Sequence, residues 1–369
     1  MVRYFSINGD PVARRGVQYT GEAEMRKQKF RKSRAVFISV CLLLCFLLGG
    51  CGSAKKEDAE SGRESAGLVI GFSQLGSESA WRLGNTASME NAAREHGISL
   101  VVNNGIQKQE NQIAAIRSFI AYQVDVIVFA PIVEEGWANV LQEAKEAGIP
   151  VIMMDRLINI KDSDLYDAYI GPDHYLEGVN AARFLMKKAE EMQTANDSAA
   201  EEESGKIRIA ELSGTEGSSP MISRYKGFHD LIDNDDRFEI LETVSGDFLR
   251  SKGRECMRSL LKKYPGQIDV LYSHNDAMTL GAIEVMEEQG IEPGKDIVII
   301  SVDGEQAAVD LLKEGKINCV VECSPMLGEA VMDLAEKIVS GQDYPRVTHP
   351  AEGCFTEYDD LSSLAPRGY

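Results

Sequence analysis

From Leu68 onward, short continuous apolar runs alternate with stretches of helical periodicity, and this alternation constrains the fold more tightly than anything else in the sequence. The runs LVIGF, ISLVVN, VDVIVFAP, IPVIMMD and DAYIG follow in order, and the gaps carry helical spacing, as at Ile113, Ile116 and Ile120 in QENQIAAIRSFIAYQ. Gly97 and Gly148 stand where such helices should stop. A strand apolar on both faces must be covered on both faces, and helices between successive strands supply the covers, so a parallel sheet is expected. A second series follows: KIRIAELSG, FEILETVSG, IDVLYSHND, DIVIISVDG and INCVVECSP. The polar stretch QTANDSAAEEESGK at 193–206 separates the two series and reads as an exposed, mobile loop. The expected fold is α/β, two doubly wound parallel-sheet lobes, and 369 residues are enough for two cored domains.

The N-terminal stretch has a different logic. Basic MRKQKFRKSR from Met25, apolar AVFISVCLLLCFLL and then small residues before Cys51 have the layout of a secretory signal. The apolar run is shorter than the about 20 residues of a membrane span. Leu48-Gly49-Gly50-Cys51 resembles a bacterial lipobox, which implies cleavage before Cys51 and lipidation of that cysteine. Residues 1–24 add nothing a signal needs, which favours Met25 as the biological start. The expected organisation therefore begins with a signal at 1–51 and a flexible tether at 52–67, where GSAKKEDAESGRESAG lacks apolar periodicity.

The formal net charge is −19, yet the first 51 residues hold nine Lys/Arg and three Asp/Glu, so the remainder carries −25. A surface that acidic repels phosphate backbones and anionic lipid, which argues against nucleic-acid binding. Of the seven cysteines, Cys41 and Cys45 fall in the signal and Cys51 in the lipobox, leaving Cys256, Cys319, Cys323 and Cys354. In an extended strand Cys319 and Cys323 are about 13 Å apart, too far to bridge each other. No CxxC or HExxH spacing occurs, so the four are read as buried small residues, with no metal and no cofactor expected.

In open α/β sheets ligands bind outside the carboxyl ends of the strands. In the first series those ends carry Ser73/Gln74, Asn103/Asn104, Asp155/Arg156 and Asp173; in the second, Gly214/Thr215, Asp247, Asn275/Asp276, Asp303 and Glu322. Carboxylates, amides and guanidiniums abound there while the whole chain has five histidines, an inventory that binds hydroxyls rather than moves protons. A neutral polyol or sugar suits it, since each hydroxyl can donate to a carboxylate and accept from an arginine. Trp81, one of two tryptophans, lies in FSQLGSESAWR just beyond the first strand, where its ring would face the C–H side of a sugar. Trp137 has two readings, cleft rim or core.

Plainer roles compete at several positions. Asp155 and Arg156 would face opposite sides of the sheet if their strand continued. Asp173 could cap the helix beginning near His174, Arg224 could be a solvated helix charge, and Asn275 could only shape a turn. Asp303-Gly304-Glu305-Gln306 has the form of a capping box. Enzyme readings fare worse: Gly71-Phe72-Ser73-Gln74-Leu75-Gly76 lacks the second glycine of a dinucleotide fingerprint, and no GxSxG elbow or coupled Ser/His/Asp set is evident, so no catalysis is expected.

The stretches GFSQLGSESAWR, QKQENQIAAIRSF, VDVIVFAP, IPVIMMDR, ELSGTEGSSPMISRYKGF, SGDFLRSKG, SHNDAMTLGAIEVMEEQGIEPGKDIVIISVDG and GKINCVVECSP together resemble the type 1 periplasmic sugar-binding proteins of ABC importers. Within that family the galactofuranose-binding members are more similar than the ribose-binding ones. The likeness runs from about 68 to about 325; residues 343–369 match less clearly, and the 193–206 insert is longer than usual. It implies a non-catalytic clamp of two lobes on a three-strand hinge, closing on a monosaccharide and docking on an ABC-transporter permease. The ligand residues it implies are Ser77, Glu78, Trp81, Arg82, Asp155, Arg156, Asp173, Arg224, Asn275 and Asp303, with Glu322 a weaker addition. Crossovers implied near Asp173, Asp303 and Pro325 make the first lobe 68–172 plus 304–325 and the second 173–303 plus 326–369. A monomer is expected, extracytoplasmic and held to the membrane by lipid on Cys51, with galactofuranose or another galactose-type sugar as ligand. Sugar-responsive repressors share the fold but carry a basic N-terminal helix-turn-helix, where this chain has a signal. The alternative is a sugar-sensing receptor that signals to a sensor kinase or chemoreceptor.

Overall fold

A computed structural model describes residues 3–4, 67–160, 163–197 and 205–369. Apart from residues 3–4, the signal, the lipobox with Cys51 and the tether up to residue 66 lie outside the described residues, as does 198–204 of the polar insert. The chain forms β1 (Arg3–Tyr4), β2 (Val69–Gln74), α1 (Ala80–Glu95), β3 (Ser99–Asn104), α2 (Gln109–Tyr122), β4 (Val126–Phe129), α3 (Ala138–Glu146), β5 (Val151–Met154) and β6 (Ala168–Ile170). After α4 (His174–Asp197) come β7 (Ile207–Ser213), α5 (Ser219–Ile232), β8 (Phe238–Ser245), α6 (Arg250–Lys263) and β9 (Val270–Ser273). Then follow α7 (Asp276–Glu288), β10 (Val298–Asp303), α8 (Gln306–Lys313), β11 (Cys319–Glu322), α9 (Gly328–Val339), β12 (Val347–Thr348) and β13 (Cys354–Thr356). All ten apolar runs are strands. The polar insert departs from expectation at its start, because α4 continues through Asp197 and makes 193–197 helical.

Two sheets result, ordered β1-β3-β2-β4-β5-β6-β12 and β13-β11-β10-β9-β7-β8. Every pairing is parallel except that of β13 with β11. In each series the first strand has the second on one side and the third on the other, so each sheet has one topological switch point where a crevice opens. The covering helices bury their apolar stripes as anticipated: Ile116 and Phe119 of α2 pack with Trp137 and Val140 on one face of the first sheet.

Lobe membership differs from the expected boundaries in the last third of the chain. Residues 304–325, expected in the first lobe, belong to the second: β11 pairs in parallel with β10, and Ala308 and Leu312 of α8 are buried in the second core. Conversely, within 326–369, α9 buries Val331, Leu334 and Ala335 against Ile70 and Leu100 of the first sheet, and β12 extends that sheet beside β6. The chain therefore crosses between lobes after β6, after β11 and between β12 and β13; the first two lie near Asp173 and Pro325, and the third replaces the one expected at Asp303. The crossovers are tied together. Ser324 N–H donates to Glu352 Oε1 at 2.7 Å, Gly353 N–H to Glu322 Oε2 at 2.7 Å, and His349 Nδ1 lies 2.8 Å from Gly171 O.

Candidate ligand-binding site

A cavity opens between the carboxyl ends of the two sheets. From the first lobe it takes Glu78, Ser79, Trp81 and Arg82 at the start of α1, and Asp155 and Arg156 after β5; from the second, Pro220 and Arg224 of α5, Phe248, Asn275, Asp303 and Cys323. Each comes from the end of a strand or the first turns of the next helix, as the sheet topology requires.

Local structure explains how the residues reach it. Ser79 caps α1 by accepting from Arg82 N–H at 3.1 Å, which starts the helix just in time to turn Trp81 and Arg82 inward. Asp155 sits in the left-handed region with φ of 65°, so β5 has ended and both Asp155 and Arg156 are buried in the cleft rather than on opposite faces. Asn275 caps α7 through Met278 N–H at 3.0 Å and donates to Phe248 O at 3.3 Å, so capping and lining coexist. Asp303 does not cap α8, whose N-cap is Glu305 without a side-chain cap bond.

The charged groups interlock. Arg82 Nη1 lies 2.8 Å from Asp155 Oδ2 and its Nε 3.6 Å from Glu78 Oε1. Arg156 donates to Ile132 O at 3.0 Å, and its guanidinium sits 5.2 Å from the centre of the Phe248 ring. Arg224 Nε donates to Glu177 Oε2 at 2.6 Å, and its Nη2 is 3.7 Å from Asp303 Oδ1. Burial works to raise the Asp155 carboxyl, but Arg82, His174 and Arg156 outweigh it and hold that group well below the usual carboxylate range. Asp303 goes the other way: burial, with Asp276 and Glu305 adding to it against Arg224, pushes its carboxyl well above the usual range. Burial and the neighbouring Arg82 push Arg156 down to about 10. Three guanidiniums thus meet the carboxyl groups of Glu78, Asp155, Glu177 and Asp303. Glu78 Oε2, Arg82 Nε and Arg156 Nε have no hydrogen-bond partner among the described residues, so the cleft presents both an acceptor and donors.

Trp81 joins the lobes. Its backbone N–H donates to Glu305 Oε1 at 3.0 Å and its indole N–H to Cys323 O at 2.6 Å, both on the second lobe, while its ring lies under Arg82 at 4.4 Å. Glu134 N–H to Gly217 O and Leu157 N–H to Ser219 Oγ, both 2.8 Å, close the lobes against each other elsewhere.

Eight of the eleven expected ligand residues line the cavity: Glu78, Trp81, Arg82, Asp155, Arg156, Arg224, Asn275 and Asp303. Three do not. Ser77 is exposed. Asp173 caps α4 by accepting from Leu176 N–H at 3.0 Å, the plainer of its two roles. Glu322 is engaged at the hinge by Gly353 N–H and Arg367. Trp137 is core: fully buried, 5.1 Å from the Phe129 ring, donating to Val133 O at 2.7 Å. Phe248 went unrecognised, although the glycine-aspartate pair after β8 marks a strand end. Asp247 and Phe248 both adopt positive φ, which swings the ring over Gly214, where a side chain would collide with it at 1.9 Å.

Fold, hinge and cleft define a class. Residues 70–343 match the periplasmic binding protein domain family, and the chain belongs to it. It is 42% identical to the galactofuranose-binding protein YtfQ of Escherichia coli (strain K12) over 276 residues, 74% of this chain and 82% of that protein. Among solved structures, one from Mycobacterium smegmatis in complex with β-D-fucofuranose superposes with a TM-score of 0.75 at 41% identity, covering 81% of this chain and 94% of that one. The periplasmic binding component of the arabinose ABC transporter from Shewanella sp. ANA-3, bound to α- and β-L-arabinofuranose, gives 0.73 at 40%, covering 79% and 92%. The family implies an extracytoplasmic location.

Proposed function

We propose that this chain binds a monosaccharide in its furanose form, galactofuranose or a related galactose-type sugar, between its lobes and delivers it to an ABC-transporter permease from a lipid anchor on Cys51. The observation that carries the reading is the cleft's charge arrangement: arginines matched by carboxylates, with unpartnered oxygen and nitrogen atoms among them. A net anionic ligand would need arginines left over, whereas a neutral polyol needs this alternation of donors and acceptors. One aromatic ring from each lobe, Trp81 and Phe248, offers a face to a sugar's C–H surface. The sugars named for the three relatives are all five-membered rings, and they support the furanose form. Ligand bridging both lobes drives closure, because only contacts made in the closed form shift the hinge equilibrium.

The test is calorimetry of the wild-type chain against furanose-locked galactose and arabinose glycosides and the corresponding pyranosides, alongside Trp81→Ala and Asn275→Ala. Preference for furanosides, with at least tenfold weaker binding in both variants, supports the reading; normal binding by both variants means the site is elsewhere. The anchor is tested by mass spectrometry for acylated Cys51. Cleavage there would also remove β1, which occupies only the edge of the first sheet.

A further inference from the structure

Two thiols face each other on the strands that flank the second and third crossovers. In the antiparallel pairing of β11 with β13, Cys319 lies opposite Thr356 and Val321 opposite Cys354. Ladder bonds run from Glu322 N–H to Gly353 O and from Glu357 N–H to Asn318 O, which makes the two cysteine-containing pairs the non-hydrogen-bonded ones, where side chains approach more closely. Strand periodicity then puts Cys319 and Cys354 on one face as diagonal neighbours, and their Sγ atoms are 3.5 Å apart. Cys319 is buried and Cys354 half-buried. The hydrogen bond from Cys319 holds the Cys354 thiol below its ordinary value, while burial, and then the same partner, pushes Cys319 up. The more exposed and more acidic thiol is the one suited to attack.

We propose that Cys319 and Cys354 form a reversible disulfide that staples the strand leaving the second lobe to the strand returning to it. The extracytoplasmic location of the family is a compartment in which such bonds persist. The Cys354 thiolate attacks the disulfide of an oxidant, either a protein dithiol–disulfide oxidant or oxidised glutathione, forming a mixed disulfide and releasing one oxidant thiol. Cys319, as its thiolate, then attacks the Cys354 sulfur and expels the second oxidant thiol. The protein loses two S–H bonds and gains one S–S bond; the oxidant's S–S bond takes up the two electrons and two protons. The loop so closed contains α9 and β12, the whole excursion through the first lobe, so the bond fixes both ends of two hinge crossovers.

The experiment treats the full chain with excess oxidised glutathione, alkylates it, and maps peptides with and without reductant. A peptide pair linked through Cys319 and Cys354 is expected, two hydrogens lighter than the sum of its parts and separated by dithiothreitol. Reductant should lower the wild-type Tm by on the order of 5 °C, as closure of a loop this long implies, and leave the Tm of Cys354→Ser unchanged. If that variant does not fold, the wild-type comparison with and without reductant stands alone. Full alkylation of both thiols after oxidation, or linkage of either to Cys256 or Cys323, overturns the proposal.

Discussion

At the scale of single residues, the cleft shifts its carboxyl groups in opposite directions. Against the opposing effect of burial, Arg82 holds the Asp155 carboxyl below its usual range, whereas burial beside Asp276 and Glu305 raises that of Asp303. The amide of an asparagine resembles a neutral acid more than a carboxylate. Asp303→Asn should therefore bind the preferred sugar within a few fold of wild type, while Asp155→Asn strands a buried Arg82 and should weaken binding by tenfold or more, both read by calorimetry. Glu78→Gln removes one charge-assisted acceptor and should cost about 1.5–3 kcal/mol of binding by the same measurement. Trp81 and Trp137 divide another role: Trp137 is sealed in the core and Trp81 lies at the lobe junction. A ligand-induced change in tryptophan fluorescence should therefore vanish in Trp81→Phe and persist in Trp137→Phe.

At the scale of elements, the second lobe positions its arginine through helix contact. A Cβ on Gly178 of α4 would meet Arg224 O of α5 at 2.2 Å, and one on Gly227 of α5 would meet Tyr175 O of α4 at 2.1 Å. These backbones touch because neither glycine has a side chain, and that contact brings Glu177 within 2.6 Å of Arg224. Gly227→Ala must part the helices; thermal unfolding should register a loss of about 1–3 kcal/mol, with weaker sugar binding as Arg224 moves. Behind the same helix, fully buried Glu211 lies 3.0 Å from His229 Nε2 and 2.8 Å from His274 Nε2. Burial raises its carboxyl, but the two histidines prevail and bring it to about 2. A depressed acid stabilises the fold above its unfolded value and loses that contribution as pH falls through its folded one. Stability on the order of 3 kcal/mol should therefore disappear between about pH 4.5 and about pH 2. Glu211→Gln should flatten that part of the acid-unfolding curve.

At the scale of the molecule, a few polar contacts join lobes with separate cores. Leu157 N–H to Ser219 Oγ is one such contact remote from the charged cluster. Under the proposed lobe closure, Ser219→Ala should leave each lobe as stable as before while raising the Kd a few fold, because the lost bond joins one lobe to the other. Unchanged affinity would mean that closure does not depend on that rim contact.

The alternation of strands and helices, the strand ends where a ligand must sit, and the polar inventory at those ends were legible in the sequence, because each depends on neighbours within a few residues along the chain. Asp155, Arg156 and Asn275 were recognisable for that reason. The tertiary structure alone decided which sheet receives α8, β11 and α9, since an apolar helix stripe fits either lobe until the crossovers commit it. It alone placed Phe248 over the cleft, through two left-handed residues that a propensity scale does not register. It also separated Asp173 and Glu322, spent on a helix cap and the hinge, from the carboxylates that face the cavity. The approach of Cys319 to Cys354 likewise depends on the register between strands that meet only after an excursion through the other lobe.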